Sequence, residues 1–354
     1  MQEAKLDILN LSRAELGEFI TIQLGEKPFR AGQVWQWLWQ RQARSFDIMT
    51  NVSKELRARL AETAEIRWPQ IAREDKSEDG TVKLLLRLSD GELVETVLIP
   101  SESRTGQRRM TQCLSTQVGC AMGCTFCSTG SMGFSRNMSQ AEIAGQVLVG
   151  RDYIGDRDGT VLKNLVFMGM GEPLMNFKNL MSSLETLSST SGLNFSRRRI
   201  TVSTCGVKKG LAELGESGYA FLAISLHAAN QELRERLMPA AAKWPLDELL
   251  ASLKAYPTAA RERITFEYLL LGGVNDSLED ARALARITRG MGAKVNLIAY
   301  NPAEGSPYRA PTQAEILAFE QELWRLGIVA ILRKSKGQDI KAACGQLRAE
   351  AIKN

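Results

Sequence analysis

The chain has no apolar run near the roughly 20 residues that a membrane span requires, and charges interrupt every candidate. Its opening stretch, "MQEAKLDILNLSRAELGEF", carries acids early and lacks the apolar core of a signal peptide. It holds one histidine in 354 residues, no internal repeat and no low-complexity linker. These absences exclude a transmembrane protein and point to the cytoplasm, where persistent disulfides are rare and clustered cysteines suggest metal or redox chemistry. A single histidine also leaves Cys/His zinc sites short of ligands. Hydrophobic content of 44% and charged content of 24% are those of a soluble globular protein, long enough for one large or two ordinary domains. With 45 Lys+Arg against 40 Asp+Glu the net charge is +5, which permits nucleic-acid binding without arguing for it.

Residues 1–75 read as helical and carry equal numbers of acidic and basic residues, so the positive excess lies downstream. In "LGEKPFRAGQVWQWLWQRQ", Pro28 sits in a first turn and Val34, Trp35, Leu38 and Trp39 follow at helical spacing. Trp35 and Trp39 read as core, while Trp37, on the other face, is a candidate for stacking a base. A second helix follows in "SKELRARLAETAEI", and "DGTVKLLLRLSDGELVETVLIP" reads as a β-hairpin turning at Ser-Asp-Gly. From about residue 110 strand-like runs alternate with helices: "TQCLSTQV", "NLVFMGM", "RITVSTC", "YAFLAISLH", "RITFEYLLL", "KVNLIAYN" and "IVAILRKS". Repeated βα units imply a parallel sheet with helical crossovers, either doubly wound or a full or partial barrel. Polar or Gly-rich residues gather at the strand ends, at Gly171, Glu172, Ser203, Ser225, His227 and Asn301. In a barrel those ends share the rim where active sites sit.

Four of the six cysteines fall within residues 113–127, in "CLSTQVGCAMGCTFC". Cys120, Cys124 and Cys127, spaced C-x3-C-x2-C, can wrap one soft metal centre, with Phe126 placed to shield it. Three cysteines on a 4Fe–4S cluster leave one iron open to a substrate or cofactor. The rival is a structural zinc with Cys113 as fourth ligand. If the preceding segment is a straight strand, however, Cys113 stands up to ~23 Å from Cys120.

C-x3-C-x-F-C after the first strand of a barrel resembles the radical S-adenosylmethionine (SAM) enzymes. "CLSTQVGC", "CSTGSMGFSRNMSQAEI", "VFMGMGEPLMN", "ITVSTCG", "AISLHAAN", "NLIAYNP" and "DIKAACGQL" are similar to the RlmN/Cfr family of RNA adenine methyltransferases, nearest its C2-methylating branch. The resemblance covers nearly the whole chain. It implies an α/β fold, a partial (β/α) radical SAM barrel over 101–354 with a C-terminal Cys344 loop. Before it would come a small N-terminal helical accessory domain that binds RNA (1–75) and a β-hairpin linker (76–100). It also implies one 4Fe–4S cluster on Cys120, Cys124 and Cys127, with SAM contacts at Gly171, Glu172, Ser203, Ser225, Leu226, His227 and Asn301. Taken singly, a Ser or Asn here is as readily a strand-end cap, and His227 a satisfied core residue.

Carbon C2 of adenine lies between two ring nitrogens and is electron-poor, so it attacks the SAM methyl badly; a radical route avoids that barrier. By resemblance, Cys344 receives a methyl from one SAM, and the 5′-deoxyadenosyl radical from a second abstracts hydrogen from it. The methylene then adds to C2, and Cys113 attacks Cys344, leaving a transient disulfide. Glu95 would accept the C2 proton. Either thiol alone reads equally as a buried small hydrophobe, and Cys205, which has no part in the family's mechanism, reads as packing. A straight strand would hold Cys113 away from Cys344, so the segment must bend or the strand must be shorter.

The implied partners are 23S rRNA, tRNA and an electron donor such as flavodoxin, for a monomer in the cytoplasm. Candidate phosphate contacts are Arg104, Arg108 and Arg109, the run Arg197–Arg199, and Arg333, Lys334 and Lys336, each also readable as a solvated face. The chain departs from the family in "MPAAAKWP", where relatives often carry a polar Asn-Lys stretch. It also ends ten residues after Cys344 without the basic tail of some members. The rivals are C8 methylation, which the same thiols serve, and a non-catalytic RNA-binding module built on zinc.

Overall fold

A computed structural model describes residues 5–102, 106–155, 159–258, 262–302 and 305–349. The N-terminal unit is clasped by a parallel pair of short strands, β1 (Leu6–Asp7) and β2 (Ala64–Glu65), around α1 (Arg13–Glu18), α2 (Phe29–Trp39) and α3 (Lys54–Thr63). Ser12 and Glu15 form a capping box at α1, and Ser53 caps α3 by accepting from Leu56 N. Val34, Trp35, Leu38 and Trp39 of α2 pack with Leu56 and Leu60 of α3 in one buried core. Trp37 is buried too: its indole N–H donates to Asn51 Oδ1 and the Arg41 guanidinium covers its ring. It is therefore not free to stack a base.

The helical reading of 1–75 runs too long, because residues 70–76 form β3 (Gln70–Lys76). Nor is the hairpin at 76–100 a linker. β4 (Val82–Arg87) and β5 (Leu93–Glu102), turning at Asp90-Gly91, are hydrogen-bonded into the catalytic sheet. The run from Val82 to Leu86 is buried throughout, as in a strand covered on both faces.

β5 pairs antiparallel with β6 (Arg108–Cys113), which stops at Cys113. The chain then bends, because the Gln146 side chain accepts from Ser115 N at 2.9 Å and donates to Ser115 O at 2.8 Å. It resumes as β7 (Gln117–Gly119), paired with β8 (Phe134–Asn137) in a separate ribbon, with the short α4 (Ser128–Ser131) between them. The expected single strand "TQCLSTQV" is thus two strands with a bend.

β6 pairs in parallel with β9 (Val161–Phe167). Then follow, in order and all parallel, β10 (Ile200–Thr204), β11 (Phe221–Ser225), β12 (Thr265–Leu270), β13 (Lys294–Ala299) and β14 (Ala330–Arg333). The crossovers are α5 (Gln140–Ile154), α6 (Phe177–Ser188), α7 (Leu211–Ser217), α8 (Gln231–Leu237), α9 (Leu246–Lys254), α10 (Leu278–Thr288) and α11 (Gln313–Arg325). The sheet curls so far that Cys113 on β6 and Arg333 on β14 line one cavity, yet among the described residues those two strands do not pair. It is a partial barrel. The N-terminal unit packs outside it: Ala141 N of α5 donates to Asn10 Oδ1, and Gln40 reaches Thr190 O beyond α6.

Candidate active site

The cysteine loop leaves the β7–β8 ribbon at Gly119, and Cys120 N donates to Gly133 O at 2.7 Å. Gly130 packs against the loop so closely that a Cβ there would stand 2.8 Å from Cys124 O, which only glycine allows. Cys120, Cys124 and Cys127 line one cavity at the C-terminal ends of the strands. Burial first, then the charges of Cys124 and Cys127, pushes the Cys120 thiol up to about 12, and burial raises Cys127 as well. Three soft sulfurs crowded where ionisation is costly suit a cationic iron centre, which reverses that penalty. The thiols are neighbours without converging on a point: among the described residues, no three His, Cys, Asp or Glu side chains could hold a single ion.

Around that loop the strand ends supply a wall. Gly171 has φ +97°, and a Cβ there would lie 2.5 Å from Gln117 Cβ. Glu172 is buried; its Oε1 accepts from Leu174 N at 3.0 Å and its Oε2 from Cys205 N at 2.8 Å, while burial raises its carboxyl. Ser203 and Ser225 face each other, Oγ to Oγ, at 3.2 Å. His227 holds φ +57°, and its Nδ1 accepts from Leu269 N at 3.1 Å, which leaves the proton on Nε2. Burial, aided by the charge of Arg234, pushes it down to about 3, so it is neutral. All five of these line the cavity.

Two expected contacts do not. Leu226 is fully buried, with its N–H on Glu267 O, and Asn301 bonds to Ser335 Oγ and Gln338 Nε2 instead. Conversely, the sequence reading passed over Glu267. It is 4% exposed and lines the cavity; Oε1 accepts from Asn296, and Oε2 has no hydrogen-bond partner among the described residues. The signal was a lone carboxylate inside the apolar run "ITFEYLLL". Cys205, read as packing, also lines the cavity, alongside Cys124.

Cys113 and Cys344 share a second cavity with Arg333, and Cys344 and Cys127 border both. Cys113 is pushed up to about 12, first by burial and then by Cys344, with Arg333 opposing. Arg333 itself is raised, chiefly by Cys344. Arg333, expected as an RNA contact, lies in this structure beside the thiol pair.

Residues 334–349, here called the strap, carry Cys344 across the barrel's open side. Lys336 Nζ donates to Pro100 O at 2.9 Å, Gly337 N to Asp79 Oδ2 at 3.0 Å, and Ser77 Oγ to Asp339 Oδ1 at 2.6 Å. Beyond Cys344 the strap grips the cluster loop, through Ser128 N to Gly345 O at 2.7 Å and Thr129 Oγ1 to Leu347 O at 2.6 Å. Glu95 fastens its end. This carboxylate, fully buried, takes Arg348 N at 2.8 Å and the Lys83 ammonium at 3.2 Å. Burial raises it and Lys83 opposes. Glu95 lines neither cavity; in this structure it clasps the end of the strap.

Of the other basic residues, Arg197 pairs with Glu262 and Arg199 bonds to Asn164, while Arg198, Arg108 and Lys334 are exposed. Arg104 lies outside the described residues.

Two family models match this geometry in sequence: the ribosomal RNA large subunit methyltransferase N-terminal domain over residues 6–66 and the radical SAM superfamily over 114–285. The dual-specificity RNA methyltransferase RlmN of Nitratidesulfovibrio vulgaris (strain DSM 19637 / Miyazaki F) is 67% identical over 349 residues, 98% of this chain and 95% of that protein. The protein of the same name from Lawsonia intracellularis is 56% identical over 345 residues, 97% of this chain and 96% of its own length. A crystal structure of a radical SAM methyltransferase from Sphaerobacter thermophilus superimposes with a TM-score of 0.90 at 41% identity, covering 98% of this chain and all of that one.

Proposed function

The chain belongs to the RlmN family of radical SAM RNA methyltransferases, and on that premise we propose that it methylates C2 of adenine in 23S rRNA and in tRNA. The observation that carries the reading is the meeting of Cys113 and Cys344 in a cavity that adjoins the cluster wall. Cys120, Cys124 and Cys127 hold a 4Fe–4S cluster, and Gly171, Glu172, Ser203, Ser225 and His227 form the bed for SAM. When bound, cluster and SAM supply the hydrogen-atom abstraction that activates a methyl group. Cys344 takes that methyl on Sγ from a first SAM and delivers its carbon to C2. Cys113 then attacks Cys344 Sγ, frees the RNA and closes a disulfide, which an outside dithiol must reduce before the next turnover. Neutral His227 keeps Nε2–H as a donor toward the cavity. Glu95 can reach a substrate proton only after Lys83 and Arg348 release it.

Among the described residues no helix is long and apolar enough to cross a membrane. A cytoplasmic monomer reduced by a small electron-transfer protein such as flavodoxin completes the reading. Incubation with rRNA and tRNA fragments, SAM and a low-potential reductant, followed by nucleoside mass spectrometry, tests it. It should yield 2-methyladenosine; 8-methyladenosine would overturn the C2 assignment.

Glu172→Gln should weaken SAM binding by roughly 10- to 100-fold, the worth of one hydrogen bond to a charged group. The new amide also sets a donor against Leu174 N or Cys205 N. Equilibrium dialysis of SAM against the iron-loaded protein measures it.

A further inference from the structure

Arg234, on α8, is fully buried, and a buried guanidinium needs negative charge close by. Among the described residues its hydrogen bonds go only to neutral carbonyls: Cys205 O, Trp244 O at 3.1 Å and Ala241 O at 3.4 Å. Its Nε has no partner. The neighbouring carboxylate, Glu235 on the same helix, is bonded to Gln231 Nε2. The end of α8 and the segment after it pack on the cysteine loop. Thr125 N, between Cys124 and Cys127, donates to Leu237 O at the end of α8 at 2.9 Å, and Ala240 N donates to Met122 O at 3.3 Å. Cys205 bridges the two, with its carbonyl on Arg234 and its side chain in the cavity beside Cys124.

We propose that Arg234, acting through Cys205, is the counter-charge of the iron–sulfur cluster and holds its reduction potential up. A cluster on three thiolates is net negative and gains one more negative charge on reduction. A fixed cation and a thiol donating to the Cys124 sulfur stabilise the reduced form more than the oxidised one. That hydrogen bond would run from Cys205 to Cys124, since a sulfur that binds iron has released its proton to solvent. Arg234 is thereby a positioning residue. Its charge acts at the electron-accepting centre without touching substrate, and it adds to the burial that keeps His227 unprotonated.

The proposal rests on Cys120, Cys124 and Cys127 binding the cluster, so the test reports on both separately. Anaerobically purified holoenzyme is titrated with dithionite and mediator dyes while the reduced-cluster electron paramagnetic resonance signal is followed. This is done for the unaltered protein, Arg234→Lys, Arg234→Met and Cys205→Ala. Iron content and the signal of the unaltered protein report on the cluster itself. The midpoint should fall in Cys205→Ala, fall further in Arg234→Met, and stay near the original in Arg234→Lys, which keeps the charge. Unchanged midpoints in Arg234→Met and Cys205→Ala at full iron content would overturn the proposal. So would a Lys variant that falls as far as the Met variant, since that marks a clamp on the turn at 239–244. If Arg234→Met loses its iron, Cys205→Ala decides alone, and an unchanged midpoint there overturns the proposal.

Discussion

Cys344→Ala abolishes RNA methylation while leaving iron content and SAM binding intact. No other thiol can take over the methyl. Cys113 is held on the β6 stub at 8% exposure, Cys205 is buried, and on the proposed reading Cys120, Cys124 and Cys127 are taken by the cluster. Losing a covalent carrier removes the route rather than slowing it, so the expected loss is at least about 10⁴-fold, the scale seen when a nucleophile is deleted. The fold should barely notice, because Cys344 is only partly buried and the strap is held by backbone bonds on either side of it. Nucleoside mass spectrometry reads the product, and iron analysis shows that the site is otherwise whole. Methylated adenine at an ordinary rate from this variant would end the carrier role.

Cys113→Ala stops at the opposite end of the same sequence. Cys344 still receives its methyl and still bonds to the base, but nothing attacks its sulfur, so protein and RNA stay joined. A denaturing gel should show a slower, nuclease-sensitive species, and the tryptic peptide holding Cys344 should carry the nucleotide. Clean release of methylated RNA would refute the resolving role. The surroundings of Cys113 explain why the thiol waits its turn. Burial, then the charge of Cys344, hold it near a pKa of about 12, so near neutral pH it is almost wholly protonated at rest. The Arg333 guanidinium works against that penalty, so the release step should speed up with rising pH, as the thiolate fraction grows.

The parts of the site legible in sequence are those whose chemistry is local. C-x3-C-x2-C is a ligand set at any sequence address, and Glu172, Ser203, Ser225 and His227 announce themselves as polar residues ending apolar strands. What stayed hidden depends on partners far along the chain. The bend that frees Cys113 is made by Gln146, 31 residues away, and no turn residue marks it. Glu95 looked like a solvent-facing strand carboxylate or a base because its partner is a backbone N–H 253 residues on. Arg333 lay in a basic run with Lys334 and Lys336, and only the curl of the sheet turns it toward the thiols. Asn301 is polar and ends a strand like the others, yet the strap claims its side chain. The hairpin was recognised but misplaced, since strand pattern reveals pairing within a segment and not the sheet it joins.

The strap also sets the order in which this enzyme can become active. Its anchors join residues 262, 253 and 236 positions apart, from Ser77 to Asp339, Glu95 to Arg348 and Pro100 to Lys336. Contacts of such separation carry the largest loop-closure entropy and form once the barrel between them exists. During synthesis Cys120, Cys124 and Cys127 and the proposed SAM-binding strand ends emerge before residue 344 does. Competence to generate a radical is thus assembled first, and the methyl carrier that gives that radical a target is delivered last.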